Sequence, residues 1–224
     1  MWTAVSCSTG LDAGSCRLAG ARMMGRKYLA LGDSYTIGEA VAADQRWPVQ
    51  LVDLLNRREF RFDPPEIIAT TGWTTDELAA AMDAKYPVGT RADFDLVSLL
   101  IGVNNQYRGR PLDEYREQFS ALLERALALA GDDPQRVLVL AIPDWGVTPF
   151  GAKSGRDTAQ IAHELDAFNA AAAEIAQASG VRFVDTSAVS RERGSQWVAD
   201  DGLHPSAELY AAWAKAAEIA LLGP

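Results

Sequence analysis

The stretch Phe94-Asp95-Leu96-Val97-Ser98-Leu99-Leu100-Ile101 decides the fold. Asp95 and Ser98 are its only polar members. A run this short and this continuously apolar reads as a strand buried on both faces, the habit of parallel sheets. Arg136-Val137-Leu138-Val139-Leu140-Ala141-Ile142 repeats the pattern. Working outward, shorter runs at 27–31, 66–70 and 182–185 complete five strand candidates. Helical spacing lies between and after them. Tyr115, Phe119, Leu122 and Ala126 share one face, with Asp113 and Glu114 near the start. Leu165, Phe168, Ala172 and Ile175 share another, and Leu209, Trp213, Ala217 and Ala220 mark the last. Shorter helices are expected over 47–58 and over 75–83, the second capped by Thr74 or Thr75. Strand and helix alternate throughout, so an α/β fold with a mainly parallel sheet follows. The longest irregular stretch, 143–157, follows the fourth strand and belongs at the carboxyl edge, where open α/β sheets hold ligands.

The chain's 224 residues suit one domain with a sizeable core. Apolar residues at 48% and charged residues at 23% match a soluble globular protein. A net charge of -9 and a pI near 4.7 repel polyphosphate backbones, which argues against nucleic acid as a partner. No run approaches the ~20 apolar residues of a membrane span, and nothing resembles an interfacial amphipathic anchor. Cys7 and Cys16 precede the first strand and read as two thiols in a loose tail, although an oxidising compartment could bridge them. Residues 1–25 contain no apolar run of signal-peptide length and are expected to be a disordered leader or a misplaced start. The functional domain is expected over 26–224, and the lack of a signal favours the cytoplasm.

In a parallel sheet the segments that follow the strands meet at one edge. Here those segments are Gly32-Asp33-Ser34, Thr70-Thr71-Gly72-Trp73, Gly102-Val103-Asn104-Asn105 and Asp201-Gly202-Leu203-His204. Each has a structural reading when taken singly: a turn, a tight bend, a helix cap, a histidine packed before Pro205. Jointly they offer a hydroxyl, an imidazole to take its proton and a carboxylate to orient the imidazole, which is the equipment of nucleophilic hydrolysis. His163, the other histidine, falls in a helical pattern and reads as solvated. Asp33 is expected to support the Ser34 turn by hydrogen bonding, and Asp144 lies near the same edge. There is no Gly-x-Ser-x-Gly elbow. No zinc-type Cys/His cluster, EF-hand loop or Walker A pattern occurs, so no metal and no cofactor is implied.

These four blocks, in this order, resemble the SGNH subgroup of the GDSL esterase/lipase family, over about residues 26–222. The resemblance implies a three-layer α/β/α sandwich of flavodoxin-like type around the five-stranded sheet. It implies Ser34 as nucleophile, His204 as general base and Asp201 as the group that orients His204. It implies an oxyanion hole made from the backbone N–H of Ser34, the backbone N–H of Gly72 and the side-chain amide of Asn104. The third block often reads Gly-x-Asn-Asp in that family. Asn105 replaces the aspartate here, which bears on a supporting hydrogen bond or a local charge.

The expected substrate is a small-molecule ester. Tyr35, Trp73, Tyr107, Trp145 and Phe150, with Ile37 and Val147, are candidates to line an apolar pocket, and 143–157 to cover it. Arg108 and Arg110 could meet an anionic leaving group or simply face solvent. Three activities are expected to compete: hydrolysis of short- to medium-chain acyl esters, deacetylation of a sugar or small metabolite, and an inert ligand-binding module.

Overall fold

The computed structural model describes residues 25–223. Cys7, Cys16 and the leader expected over 1–25, Gly25 apart, lie outside the described residues. The strands are β1 (Tyr28–Gly32), β2 (Glu66–Ala69), β3 (Leu96–Leu100), β4 (Val137–Leu140) and β5 (Arg182–Val184). They form one sheet in the order β2-β1-β3-β4-β5, and every neighbouring pair is parallel. Each residue of β1, β3 and β4 is buried, as strands covered on both faces require. The two polar residues of the 94–101 stretch are both accounted for. Ser98 Oγ pairs with the Tyr28 hydroxyl at 2.8 Å, and Asp95 Oδ2 accepts from the Lys27 N–H at 2.9 Å.

The helices are α1 (Ser34–Ile37), α2 (Trp47–Arg57), α3 (Thr75–Lys85), α4 (Val103–Tyr107), α5 (Leu112–Leu129), α6 (Pro149–Lys153), α7 (Thr158–Ala178), α8 (Thr186–Arg193) and α9 (Ala207–Leu222). From β1 the chain steps outward to β2, then back across β1 to β3. Right-handed crossovers therefore place α2 on one face and α3, α5 and α7 on the other. The packing follows this rule: α2 lies against α9, while α3, α5 and α7 pack in a row. The result is the three-layer, flavodoxin-like α/β sandwich. The direction in which successive strands are added reverses at β1/β3, and the crevice outside their carboxyl ends is where such sheets bind ligands.

Two segments differ from expectation. The stretch 143–157 is not irregular throughout: it holds a 3-10 turn, Trp145–Val147, and the helix α6. Five residues are too few to display a helical period. The signals that do exist are Pro149 at the first helical position and Thr148, whose hydroxyl accepts from the Gly151 N–H at 3.1 Å. Likewise α8 carries little apolar periodicity and is started by Asp185, whose carboxylate accepts from the N–H groups of Ser187 and Ala188.

Candidate active site

Ser34 opens α1 directly beyond β1. Asp33 caps this helix, with Oδ1 accepting from the Tyr35 N–H at 3.0 Å. Gly32 makes the sharp exit from the strand possible, because a Cβ there would collide with Thr36 and with the Leu100 carbonyl. Burial pushes the Asp33 carboxyl up to about 7, against the opposing hydrogen bond from Tyr35. Asp33 thus supports the turn, as the sequence suggests.

His204 arrives from the far end of the chain on a narrow loop. Val198 and Pro205 bridge antiparallel, the Ala199 N–H donates to the His204 carbonyl at 2.8 Å, and the Gly202 N–H donates to Ala199 at 2.9 Å. Asp201 grips the histidine twice. Its Oδ1 accepts from the backbone N–H groups of Leu203 and His204, each at 2.9 Å, and its Oδ2 pairs with His204 Nδ1 at 2.6 Å. Burial raises the Asp201 carboxyl, but the ring and the two N–H donors outweigh it and hold the group below the ordinary aspartate value. An ionised Asp201 accepts only, so Nδ1 carries a proton toward it, and in the neutral ring Nε2 is the nitrogen with the lone pair. The Tyr35 ring stands edge-on behind the imidazole, centroids 5.6 Å apart, and Trp213 backs Tyr35 at 6.0 Å.

The oxyanion candidates come from the neighbouring strands. Thr70 to Trp73 form a turn closed by the Trp73 N–H donating to the Thr70 carbonyl at 3.3 Å, with Gly72 at φ +89°. The turn makes no use of the Gly72 N–H. Asn104 donates one amide hydrogen to the Trp73 carbonyl at 2.9 Å, which leaves the second available. Asn105 is fully buried and ties α4 to α3. It accepts from the Thr75 N–H at 3.1 Å and donates to Thr75 Oγ1 at 2.7 Å. The Thr75 hydroxyl then donates onward to Gln118. An amide suits this position because Thr75 has already given its only hydroxyl proton away.

A cavity of about 210 Å³ is lined by Ser34, Gly72, Asn104 and His204, and walled by Tyr35, Tyr107, Trp145 and Phe150. Thr71, Val103 and Leu203 complete it; they belong to the same four segments but carry no distinguishing chemistry in the sequence. Trp73, Ile37 and Val147 stay out of the lining. The Trp73 ring instead packs, half-buried, against the core. Arg110 is bound to Asp76 and Glu114, and Arg108 to Glu77 and the Gly72 carbonyl, so both cations are engaged. His163 is exposed on α7. Asp144 is structural: it caps the 145–147 turn and holds Arg191 Nε at 2.8 Å.

Sequence reasoning missed what holds the wall. Trp145 Nε1 donates to Gln106 Oε1 at 2.9 Å, and Gln106 Nε2 donates to Glu164 at 2.6 Å. Arg156 pairs with Glu164 at 2.8 Å and lies 5.3 Å from the centre of the Trp145 ring. Tyr107 and Phe150 pack against Trp145 at 5.5 and 5.9 Å. Among the described residues no group of three or more His, Cys, Asp or Glu side chains could hold a metal ion, and no helix is long and apolar enough to cross a membrane.

Comparison with known proteins bears on the fold and the family. Three solved structures share the fold. Axe2, an acetylxylan esterase from Geobacillus stearothermophilus, aligns with a TM-score of 0.67 at 22% identity, over 88% of this chain and 94% of its own. The psychrotrophic esterase EstA from Pseudoalteromonas sp. aligns at 0.64 and 15% identity, over 88% and 96%. A lipase/acylhydrolase from Enterococcus faecalis aligns at 0.59 and 23% identity, over 87% and 95%. No curated protein sequence matches the chain. The model of the GDSL-like lipase/acylhydrolase family matches residues 30–212, from within β1 to within α9 and across all four segments at the sheet edge, and the chain belongs to that family.

Proposed function

We propose that the protein is a serine esterase that hydrolyses carboxylic esters of short- to medium-chain acyl groups through an acyl-enzyme on Ser34. The observation that carries this reading is the opening of one cavity onto Ser34, the Asp201-held His204, Gly72 and Asn104. In the first step Ser34 Oγ attacks the ester carbonyl carbon and its proton passes to His204 Nε2. The carbonyl electron pair moves onto oxygen, where the N–H groups of Ser34 and Gly72 and the free amide hydrogen of Asn104 receive it. The tetrahedral adduct collapses, the C–O bond to the alcohol breaks, and His204 returns the proton to the leaving oxygen. Water then repeats the sequence and frees the acid. Among the described residues the Ser34 hydroxyl carries no hydrogen bond, and catalytic contacts of this kind commonly tighten only when substrate is bound.

The cavity of about 210 Å³ has the volume of roughly seven water molecules, which supports a short acyl group rather than a long one. A second reading, removal of an acetyl group from a sugar ester, draws support from that size and from Tyr107, 49% exposed at the cavity, where an aromatic face can stack on a sugar ring. The test compares wild type with Ser34→Ala on p-nitrophenyl esters from acetate to palmitate and on a peracetylated sugar, with a fluorophosphonate as covalent probe. Turnover and labelling that both vanish in Ser34→Ala are expected. A wild type that is folded, unlabelled and inactive on every ester would leave an inert binding module.

A further inference from the structure

We infer that Leu203 is a specificity-determining residue that limits acyl length: its side chain is the removable part of a wall between the catalytic cavity and a second void behind it. This inference rests on the esterase reading above. The cavity beside Ser34 has about 210 Å³, and a separate void of about 10 Å³ lies between the 143–148 segment, α8 and the start of α9. Three side chains line both spaces, Tyr35, Trp145 and Leu203, so these three form the wall between them. A void of that size has room for about one water molecule or one methyl group. Beyond the wall its lining is mostly carbon, from Pro143, Val147, Val198, Pro205 and Leu209. The polar side chains on that side are already bonded within the fold. Asp144 accepts from the Gly146 N–H and holds Arg191, Thr148 donates to the Trp145 carbonyl at 2.7 Å, and Ser190 donates to the Thr186 carbonyl at 2.8 Å. The space behind the wall therefore suits the end of an alkyl chain.

The order of the reaction assigns the walled side to the acyl group. The alcohol departs while the acyl chain is still bonded to Ser34. The alcohol therefore needs the side open to solvent, where Tyr107 is 49% exposed, and the acyl chain takes the side closed by buried Tyr35 and Trp145. Of the three wall residues, two are fixed by contacts of their own. Trp145 is bonded to Gln106 at 2.9 Å, and Tyr35 packs against His204 at 5.6 Å and Trp213 at 6.0 Å. Leu203 brings only an aliphatic side chain, half-buried against the core. Its backbone is held without that side chain. The Leu203 N–H donates to Asp201 Oδ1 at 2.9 Å, the Gly202 carbonyl accepts from the Phe150 N–H at 2.9 Å, and the His204 carbonyl accepts from the Ala199 N–H at 2.8 Å. Shortening Leu203 thus leaves these anchors of the His204 loop in place and takes three carbon atoms out of the wall.

In Leu203→Ala the two spaces join. The ratio of kcat/KM on p-nitrophenyl octanoate to that on the acetate should rise by at least about tenfold, the lower end of what one methylene is worth in a pocket. Leu203→Phe thickens the wall and should move the ratio the other way. Val147 separates use of the void from a general loosening of the loop, because it lines the void and not the catalytic cavity. Val147→Ala alone should keep the wild-type chain-length profile. In the Leu203→Ala background the same change should raise the octanoate ratio severalfold further, since only there can a chain reach it.

The test takes the full-length wild type, the three single variants and the Leu203→Ala/Val147→Ala double variant through two ester series. One series is p-nitrophenyl esters from acetate to decanoate; the other is acetates of alcohols of increasing length. A fluorophosphonate counts the reactive sites, and Ser34→Ala is run alongside. The expected result is an acyl-length shift of opposite sign for alanine and phenylalanine at 203, a Val147→Ala effect that needs Leu203→Ala, and no shift in the alcohol series. An unchanged acyl profile in Leu203→Ala that still labels fully overturns the inference. So does a shift confined to the alcohol series, or a Val147→Ala effect of equal size in both backgrounds. Should Leu203→Ala not fold, Leu203→Phe decides alone, and a wild-type acyl profile there overturns the inference. Turnover that persists in Ser34→Ala would instead overturn the esterase reading beneath it.

Discussion

Gln106→Leu separates the pocket wall from the chemistry. Gln106 is 2% exposed and accepts the Trp145 indole N–H at 2.9 Å; Trp145 is itself 2% exposed. Leucine nearly fills the same space but accepts nothing, so the indole N–H is left buried without a partner. A buried unsatisfied donor costs about 1–3 kcal/mol. Glu164 loses the bond from Gln106 as well, yet keeps Arg156 at 2.8 Å and Gln160 at 3.0 Å and is partly open to solvent, so that loss adds little. The sum is about 2 kcal/mol, or a fall of about 4–8 °C in thermal midpoint for a chain of this size. The pocket should respond too. Trp145 keeps the Arg156 guanidinium at 5.3 Å but loses the bond that sets its tilt. The ratio of kcat/KM on p-nitrophenyl hexanoate to that on the acetate should then rise by about tenfold, near the worth of one methylene in a pocket. In the double variant with Trp145→Phe neither polar partner remains, so the two stability losses should sum to more than the double costs. An unchanged midpoint together with an unchanged chain-length profile in Gln106→Leu would refute the argument that this hydrogen bond fixes the wall.

Three further outcomes follow from the same contacts. Asp201→Asn keeps an oxygen for the Leu203 and His204 N–H groups but no longer enforces the His204 tautomer; kcat should fall on the order of 10⁴-fold with the thermal midpoint nearly unchanged, and an effect under tenfold would remove Asp201 from the mechanism. Asp33 titrates near 7 when folded and near 3.8 when unfolded, so between those values the folded state holds the extra proton and stability declines as pH rises. The decline is on the order of 4 kcal/mol at most, and Asp33→Asn, which still caps Tyr35, should flatten it in urea titrations at pH 4.5 and 8; a slope equal to wild type would show that Asp33 is not the titrating group. Arg191→Met strips the partner from Asp144, 3% exposed, and should cost about 3 kcal/mol in urea unfolding; a loss under 1 kcal/mol would show that the Asp144 charge is not dependent on that pair.

The two long apolar runs named the sheet because strands buried on both faces have no polar side to display. Residues after the strands could be assigned to one edge because parallel strands share a carboxyl end. Ser34, Gly72, Asn104, Asp201 and His204 could therefore be placed together from the sequence, and the structure sets Ser34, Gly72, Asn104 and His204 around one cavity with Asp201 on His204 Nδ1. The short helices α1, α4 and α6 were not legible, since four or five residues show no period and their caps are local hydrogen bonds.

What the chain alone could not display is pairing across distance. Trp73 was a candidate for the pocket from its place at the sheet edge, and the structure packs it against the core instead. Gln106, Glu164 and Arg156 come from α4, α7 and the segment between α6 and α7, and nothing in their spacing marks them as one support for Trp145. Arg108 read as a cation for a leaving group or for solvent, and the fold set Glu77 and the Gly72 carbonyl against it. Sequence by itself determined which strands lie in the sheet and which segments meet at its carboxyl edge, because burial pattern and strand direction are local properties of the chain. Only the tertiary structure decided which polar atoms satisfy one another, because a hydrogen bond between residues 36 or 58 positions apart exists only once packing brings the two helices or turns within 3 Å.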